Sequence, residues 1–159
     1  RAYLHELGPD HEHVEVDVME GAEDLLVAAD PTHVTAVLDN LVTNALRYAG
    51  PPVVIGLDGV VDGQAQVTVS DAGPGIPHRV RARLFTRFAA GDKVVGGAPS
   101  SGLGLWIVRS LVTGYGGTVR HRNLDPQGPE FEIRLPLADG VPGPVTRSTS
   151  SWQRSAAAP

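Results

Sequence analysis

The sequence predicts an α+β domain, with helices laid on one face of a mixed or antiparallel sheet. Three observations predict it. Strand-like apolar runs occur at residues 13–18, 53–57, 66–70, 118–122 and 130–135. Most of them come as hairpin-like neighbours rather than in strict alternation with helices. Two longer segments, near 31–48 and 103–113, carry helical apolar spacing.

Taken in order, residues Arg1 to Gly8 read as the end of a helix, closed by Gly8-Pro9. From His13 to Val18, Val14, Val16 and Val18 share one face while Glu15 and Asp17 take the other, which predicts a half-buried strand. Leu25 to Ala28 is a second short apolar run. Asp30-Pro31 is a helix start, with Asp as N-cap and Pro at the first helical position. That helix is expected to run to about Tyr48 and to stop before Gly50-Pro51-Pro52. Val53–Leu57 and Gln66–Ser70 read as two strands joined by a glycine-containing turn, followed by a Gly/Pro turn from Asp71 to Pro77 and a short helix from His78 to Phe85. Ala89 to Ser101 is rich in Gly, Ala and Ser and reads as a mobile loop. Leu103, Trp106, Ile107 and Leu111 then carry helical spacing, and strands are expected near Thr118–Arg122 and Glu130–Leu135.

The 159 residues suit one domain. They divide into an end of a linker at 1–10, an ordered domain at 11–138 and a disordered tail at 139–159, where Pro, Gly, Ser, Thr and Ala dominate. Arg1 is not a start methionine, so the chain reads as an excised piece. The absence of cysteine excludes a disulfide scaffold and any Cys-ligated zinc. No apolar run approaches the roughly 20 residues of a membrane helix. A net charge of -5 argues against nucleic acid as a partner.

Four features carry chemistry. Asn40, Asn44 and Arg47 lie at i, i+4 and i+7 on the predicted helix, so they form one polar stripe beside Leu38, Leu41, Val42 and Ala45. Amide oxygens one turn apart suit a hard cation such as Mg²⁺, which shares its shell with substrate phosphates. Read alone, the pair is also accounted for by two exposed or cross-bonded amides. Asp71 has the parity of Val67 and Val69, so it points to the buried side. A carboxylate there needs a donor, and an adenine amine is one; Gly73 and Gly75 allow a flat ligand to approach the backbone. An ordinary Asp-Gly turn fits this motif too. Gly102-Leu103-Gly104-Leu105 opens a helix after the loop, where free N–H groups bind phosphate. A plain glycine-rich helix entry is the alternative. Phe85 to Phe88 is a hydrophobic anchor at the root of the loop, with Arg87 as a candidate phosphate contact. His5 reads as an ordinary residue near a helix end, and the other five histidines as surface or turn residues without metal-ligand spacing.

In this order and spacing the four features resemble the catalytic, ATP-binding domain of a two-component sensor histidine kinase, within the GHKL superfamily that also holds gyrase-type ATPases. Asn40 to Tyr48 matches the family's N box, Asp71 to Ile76 its G1 box, Phe85 to Phe88 its F box and Gly102 to Leu105 its G2 box. The resemblance spans about Val14 to Pro136. It implies a two-layer α/β sandwich (the Bergerat ATP-binding fold), with a mixed five-stranded sheet and three helices on one face. It also implies that Asn44, supported by Asn40, holds Mg²⁺ on the ATP phosphates. Arg47 would lie near those phosphates, Tyr48 would line the pocket and Asp71 would accept from the adenine amine, with Gly73, Gly75 and Ile76 forming the turn beside it. Gly102, Leu103, Gly104 and Leu105 would offer backbone amides to the phosphates under a lid at 89–101.

The chain departs from the family in three places. Ser100 stands where a further glycine is common, and Ala89-Ala90 where an aromatic-Arg pair often follows the F box; Lys93 could substitute in the phosphate contacts. The phosphoacceptor box is missing, because Gly8-Pro9 follows His5-Glu6-Leu7. The implied activity is therefore donation of the γ-phosphate of Mg-ATP to a histidine on a separate dimerisation domain of the same kinase, with little autokinase activity from this piece alone. A response regulator, a homodimeric full-length protein and a cytoplasmic place in a membrane-anchored sensor are further implications. The alternative is an ATP hydrolase, clamp or serine kinase of the same superfamily. Those usually carry a Glu near the first Asn of the N box, and Asn40 is an amide that cannot act as a base.

Overall fold

The computed structural model describes residues 13–88, 102–124 and 128–139. The expected helix end and His5 before residue 13, the loop at 89–101 with Lys93, and the tail beyond 139 lie outside them. The elements run β1 (Val14–Val18), α1 (Pro31–Tyr48), β2 (Val53–Val61), β3 (Gln64–Asp71), α2 (His78–Arg81), α3 (Gly104–Gly114), β4 (Thr118–Leu124) and β5 (Gly128–Pro136). The five strands form one sheet in the order β1-β2-β3-β5-β4. Only β1 and β2 pair in parallel; β2 with β3, β3 with β5 and β5 with β4 are antiparallel. The sheet is therefore mixed, and the layer of helices makes the fold the expected α/β sandwich.

The core lies between that layer and one face of the sheet. Val37, Leu41, Val42 and Ala45 of α1 and Val108 and Val112 of α3 meet Val53, Ile55, Val69, Phe131, Ile133 and Leu135. Helix α1 starts where its capping residue dictates: the Asp30 carboxylate accepts from the Thr32 N–H at 2.8 Å, with Pro31 at the first helical position. Removing such a cap costs about 1 kcal/mol. A cavity of about 220 Å³ remains at the far end of the two helices, between Val34, Val37, Leu111 and Tyr115 and the sheet residues Leu57 and Val67.

Four expectations about the elements are corrected. The strand β2 runs on past Leu57 to Val61, with a register shift between Leu57 and Gly59. The reversal falls at Asp62-Gly63, both with positive φ (52° and 76°), the pair of left-handed residues that a two-residue hairpin turn demands. On β1 only Val14 is buried; Val16 and Val18 are 38% and 42% exposed, because β1 is an edge strand. The helix expected over 78–85 is helical only to Arg81. It continues as tight turns in which Arg83, Leu84 and Thr86 N–H groups donate three residues back. The buried side of α3 centres on Val108 and Val112 rather than on Trp106 and Ile107.

The sheet's other face carries a polar network instead of a second helix layer. Thr68 Oγ1 donates to Asp58 at 3.0 Å, and Arg122 pairs with Glu130, which is 2% exposed. Burial pushes the Glu130 carboxyl above its ordinary value, and Arg122 pulls it back down. His121, expected among surface or turn residues, instead faces the core side of β4, half-buried and 5.4 Å from the Phe131 ring. Its parity with Val119 puts it there.

Candidate functional site

The polar stripe of α1 ends on two glycine-rich turns. Asn40 donates its Nδ2 to the Ala36 carbonyl at 2.7 Å, which leaves its Oδ1 facing the start of α3. A Cβ built on Gly104 would lie 2.8 Å from that oxygen. The two helices therefore touch where the N box and G2 box meet, and only a hydrogen fits between them. Gly102 has a φ of +64°, and no side chain among the described residues caps α3, which begins at Gly104 with its backbone N–H groups pointing back toward the G2 turn. Leu103 holds the N-cap position, and Leu105 packs against the core. One turn past Asn40, Asn44 is half-buried and its amide has no hydrogen-bond partner among the described residues. Arg47 lies half-buried in the last turn, and Tyr48 is 42% exposed.

The second turn leaves β3 beside the end of α1. Asp71 is 8% exposed and accepts from the Gly73 N–H at 2.9 Å. Burial raises its carboxyl above the ordinary aspartate value, with the Gly73 hydrogen bond acting the other way. A Cβ on Gly73 would sit 2.6 Å from Ala49 Cβ, so the turn lies directly against the helix end. Gly75 needs its left-handed φ of +77°, which a side chain would strain. The Asp71 turn thus meets the C-terminal end of the same helix that carries the Asn stripe.

Not every candidate lands as expected. The Arg87 guanidinium lies 4.1 Å from the centroid of the Trp106 ring, where it ties the F box to the first turn of α3. Phe85 packs edge-on against Phe131, whereas Phe88 is 70% exposed. Lys93 falls outside the described residues. Sequence reasoning missed two contributors from the last hairpin. Asn123 bonds both backbone groups of Ile76, at 3.1 and 3.2 Å. Gly128 admits the backbone of the G1 turn so closely that a Cβ there would lie 2.5 Å from the Asp71 carbonyl oxygen. No local motif marks either residue.

The donor set fits a magnesium nucleotide. Asn40 and Asn44 offer neutral oxygens, which suit Mg²⁺ when phosphates supply the negative charge. The helix start at Gly104, opened by glycines, suits the phosphates themselves. Asp71 retains acceptor capacity for an amine on a planar base.

Comparison with known proteins agrees with this chemistry. Residues 29–139 match the family described as histidine kinase-, DNA gyrase B-, and HSP90-like ATPase. The chain is 39% identical over 112 residues, 70% of its length, to the sensor protein KdpD of Escherichia coli (strain K12), and covers 12% of that protein. It spans between 10% and 25% of the first curated relatives it matches. Among solved structures, it superposes on full-length ShkA in complex with AMPPNP with a TM-score of 0.70 and 28% identity, covering 87% of this chain and 29% of that one. The catalytic domain of the histidine kinase ThkA gives a TM-score of 0.67 at 28% identity, covering 85% and 90%. The chain belongs to the histidine kinase-, DNA gyrase B- and HSP90-like ATPase family, and its relatives there include sensor histidine kinases.

Proposed function

We propose that this domain binds Mg-ATP and donates its γ-phosphate to a histidine on the dimerisation domain of the same kinase. The observation that carries the reading is the convergence of three motifs. Asn40 abuts Gly104 at the start of α3, and the Asp71 turn abuts Ala49 at the end of the same α1. Asp71 would accept the adenine amine, Asn44 and Asn40 would hold Mg²⁺, and the first amides of α3 would take the phosphates, with Arg47 and Tyr48 alongside. Mg²⁺ held by Asn44 and Asn40 would supply charge neutralisation on the phosphates. The rest of the chemistry is positioning. The acceptor imidazole nitrogen forms the new N–P bond as the bond to the β–γ bridging oxygen breaks, and ADP leaves. No water-activating base is needed, which agrees with an amide at position 40.

The same reading makes a response regulator the next phosphate acceptor and a homodimer the working form. It also makes this chain the cytoplasmic part of a membrane-anchored sensor; no described helix is itself long and apolar enough to cross a membrane. The test mixes the chain, γ-labelled ATP and Mg²⁺ with the separately produced dimerisation domain. Label is expected on that domain's histidine, while the chain alone stays nearly unlabelled. Sustained ATP hydrolysis without transfer would move the assignment to the hydrolase branch of the family.

A further inference from the structure

We propose that Asn123, one residue before the end of β4, is a positioning residue for base recognition; this rests on the nucleotide reading above. Its amide makes a two-point clamp on Ile76: Oδ1 accepts from the Ile76 N–H at 3.1 Å, and Nδ2 donates to the Ile76 carbonyl at 3.2 Å. Arg81 Nε donates to the same carbonyl at 2.9 Å. Ile76 closes the turn whose other end is the Asp71 carboxylate, and Gly75 lies between them in a left-handed conformation. A Cβ on Gly75 would meet Asn123 Nδ2 at 2.7 Å, so clamp and turn are in direct contact.

The turn needs such a clamp because it is a Gly- and Pro-rich connection leaving the sheet. Gly73, Pro74 and Gly75 have no side chains that could fasten it across to β4. Its backbone is held at the start by Asp71 and at the end by Asn123, residues 52 positions apart that no local pattern connects. Asn123 itself need not touch the ligand. If its loss leaves the binding-competent turn populated about a tenth of the time, apparent affinity falls about tenfold.

The test compares Mg-ATP and Mg-GTP binding by calorimetry in the whole chain, together with amide hydrogen exchange at Ile76. Asn123→Ala is expected to weaken Mg-ATP about tenfold, to narrow the preference for ATP over GTP, and to speed exchange at Ile76. The thermal midpoint should move little. Gly75→Ala is expected to weaken binding on its own but less so in the Asn123→Ala background, because the clash with Nδ2 is gone. If the alanine variant folds poorly, Asn123→Asp serves instead, because it keeps the acceptor to the Ile76 N–H and loses the donor to the Ile76 carbonyl. Unchanged affinity and selectivity in Asn123→Ala would overturn the proposal. So would equal losses for ATP and GTP that track a fall in thermal midpoint, since those report a general structural role. A wild-type chain that fails to bind Mg-ATP would instead remove the nucleotide reading itself.

Discussion

Gly104→Ala separates binding from folding. The added methyl carbon would stand 2.8 Å from Asn40 Oδ1 and 3.7 Å from its Cγ. Ordinary contact between such atoms begins near 3.4 Å, so one group must retreat by about 0.6 Å. Asn40 is not free to do so, because its Nδ2 is bonded to the Ala36 carbonyl. Giving up that bond costs about 1 kcal/mol. Against this, exchanging Gly for Ala returns at most about 0.5–1 kcal/mol, the value in a helix interior, at this first position of α3. The two nearly cancel, so thermal denaturation should place the variant within about 1 kcal/mol of the parent. Binding has no such compensation. The displaced oxygen belongs to the proposed cation shell, and the methyl crowds the amides at the start of α3. Losing one polar contact to a charged ligand costs about 1.5–3 kcal/mol, so Mg-ATP affinity should fall about tenfold or more. Calorimetry with a non-hydrolysable ATP analogue reads this directly. Affinity within twofold of the parent, in a folded variant, would refute the meeting of the two helices at the ligand.

Asp71→Asn should reduce the preference for ATP over GTP by about tenfold or more, since an amide can present a donor to the base where the carboxylate accepts. The same variant tests a pH effect. Because burial raises the Asp71 carboxyl, wild-type ATP affinity should begin to fall during acidification at a higher pH than an ordinary aspartate would give. The Asp71→Asn titration should be flat there. Asn44→Ala should cost little stability, because Ala is the better helix former by a few tenths of a kcal/mol. It should abolish most of the dependence of binding on Mg²⁺, as a Mg²⁺ titration will show. Arg122→Ala strands the Glu130 carboxylate, 2% exposed and close enough to Asp58 and Glu132 to feel their charge. Denaturant melts should show a loss of about 1–3 kcal/mol at neutral pH. With the folded pKa raised, that loss should be recovered as pH falls through the Glu130 titration and Glu130 takes up a proton.

What could be read in the sequence was whatever is local. Asp30-Pro31 announces α1 through its own cap, and the parity of Val67, Val69 and Asp71 turns the carboxylate inward without help from elsewhere. Gly59 misled because glycine in a strand resembles a turn, whereas Gly56 was already inside the expected strand. The structure shows that Gly56 is required there by crowding across strands, since a Cβ would lie 2.4 Å from Thr68 Oγ1. Val16 and Val18 alternate properly, yet alternation does not say whether a strand lies at a sheet's edge. Trp106 has helical spacing, but its ring serves Arg87 rather than the core. The family motifs named Asn40, Asn44 and Asp71 from the sequence alone. Asn123 and Gly128 were invisible because they act on residues about fifty positions away, and a single sequence holds no trace of that pairing.

The place of β5 in the sheet has a consequence for how the protein is made. This strand emerges last among the described elements, yet it inserts between β3 and β4 and brings Gly128 against the Asp71 turn. A chain still on the ribosome would have all four nucleotide motifs exposed before the strand that seats them arrives. Until then β3 has an open flank, and ligand has little to bind. Competence should therefore arrive abruptly, once β5 has emerged, and chains shortened to before Gly128 should neither retain the nucleotide nor protect the freed edge from aggregation.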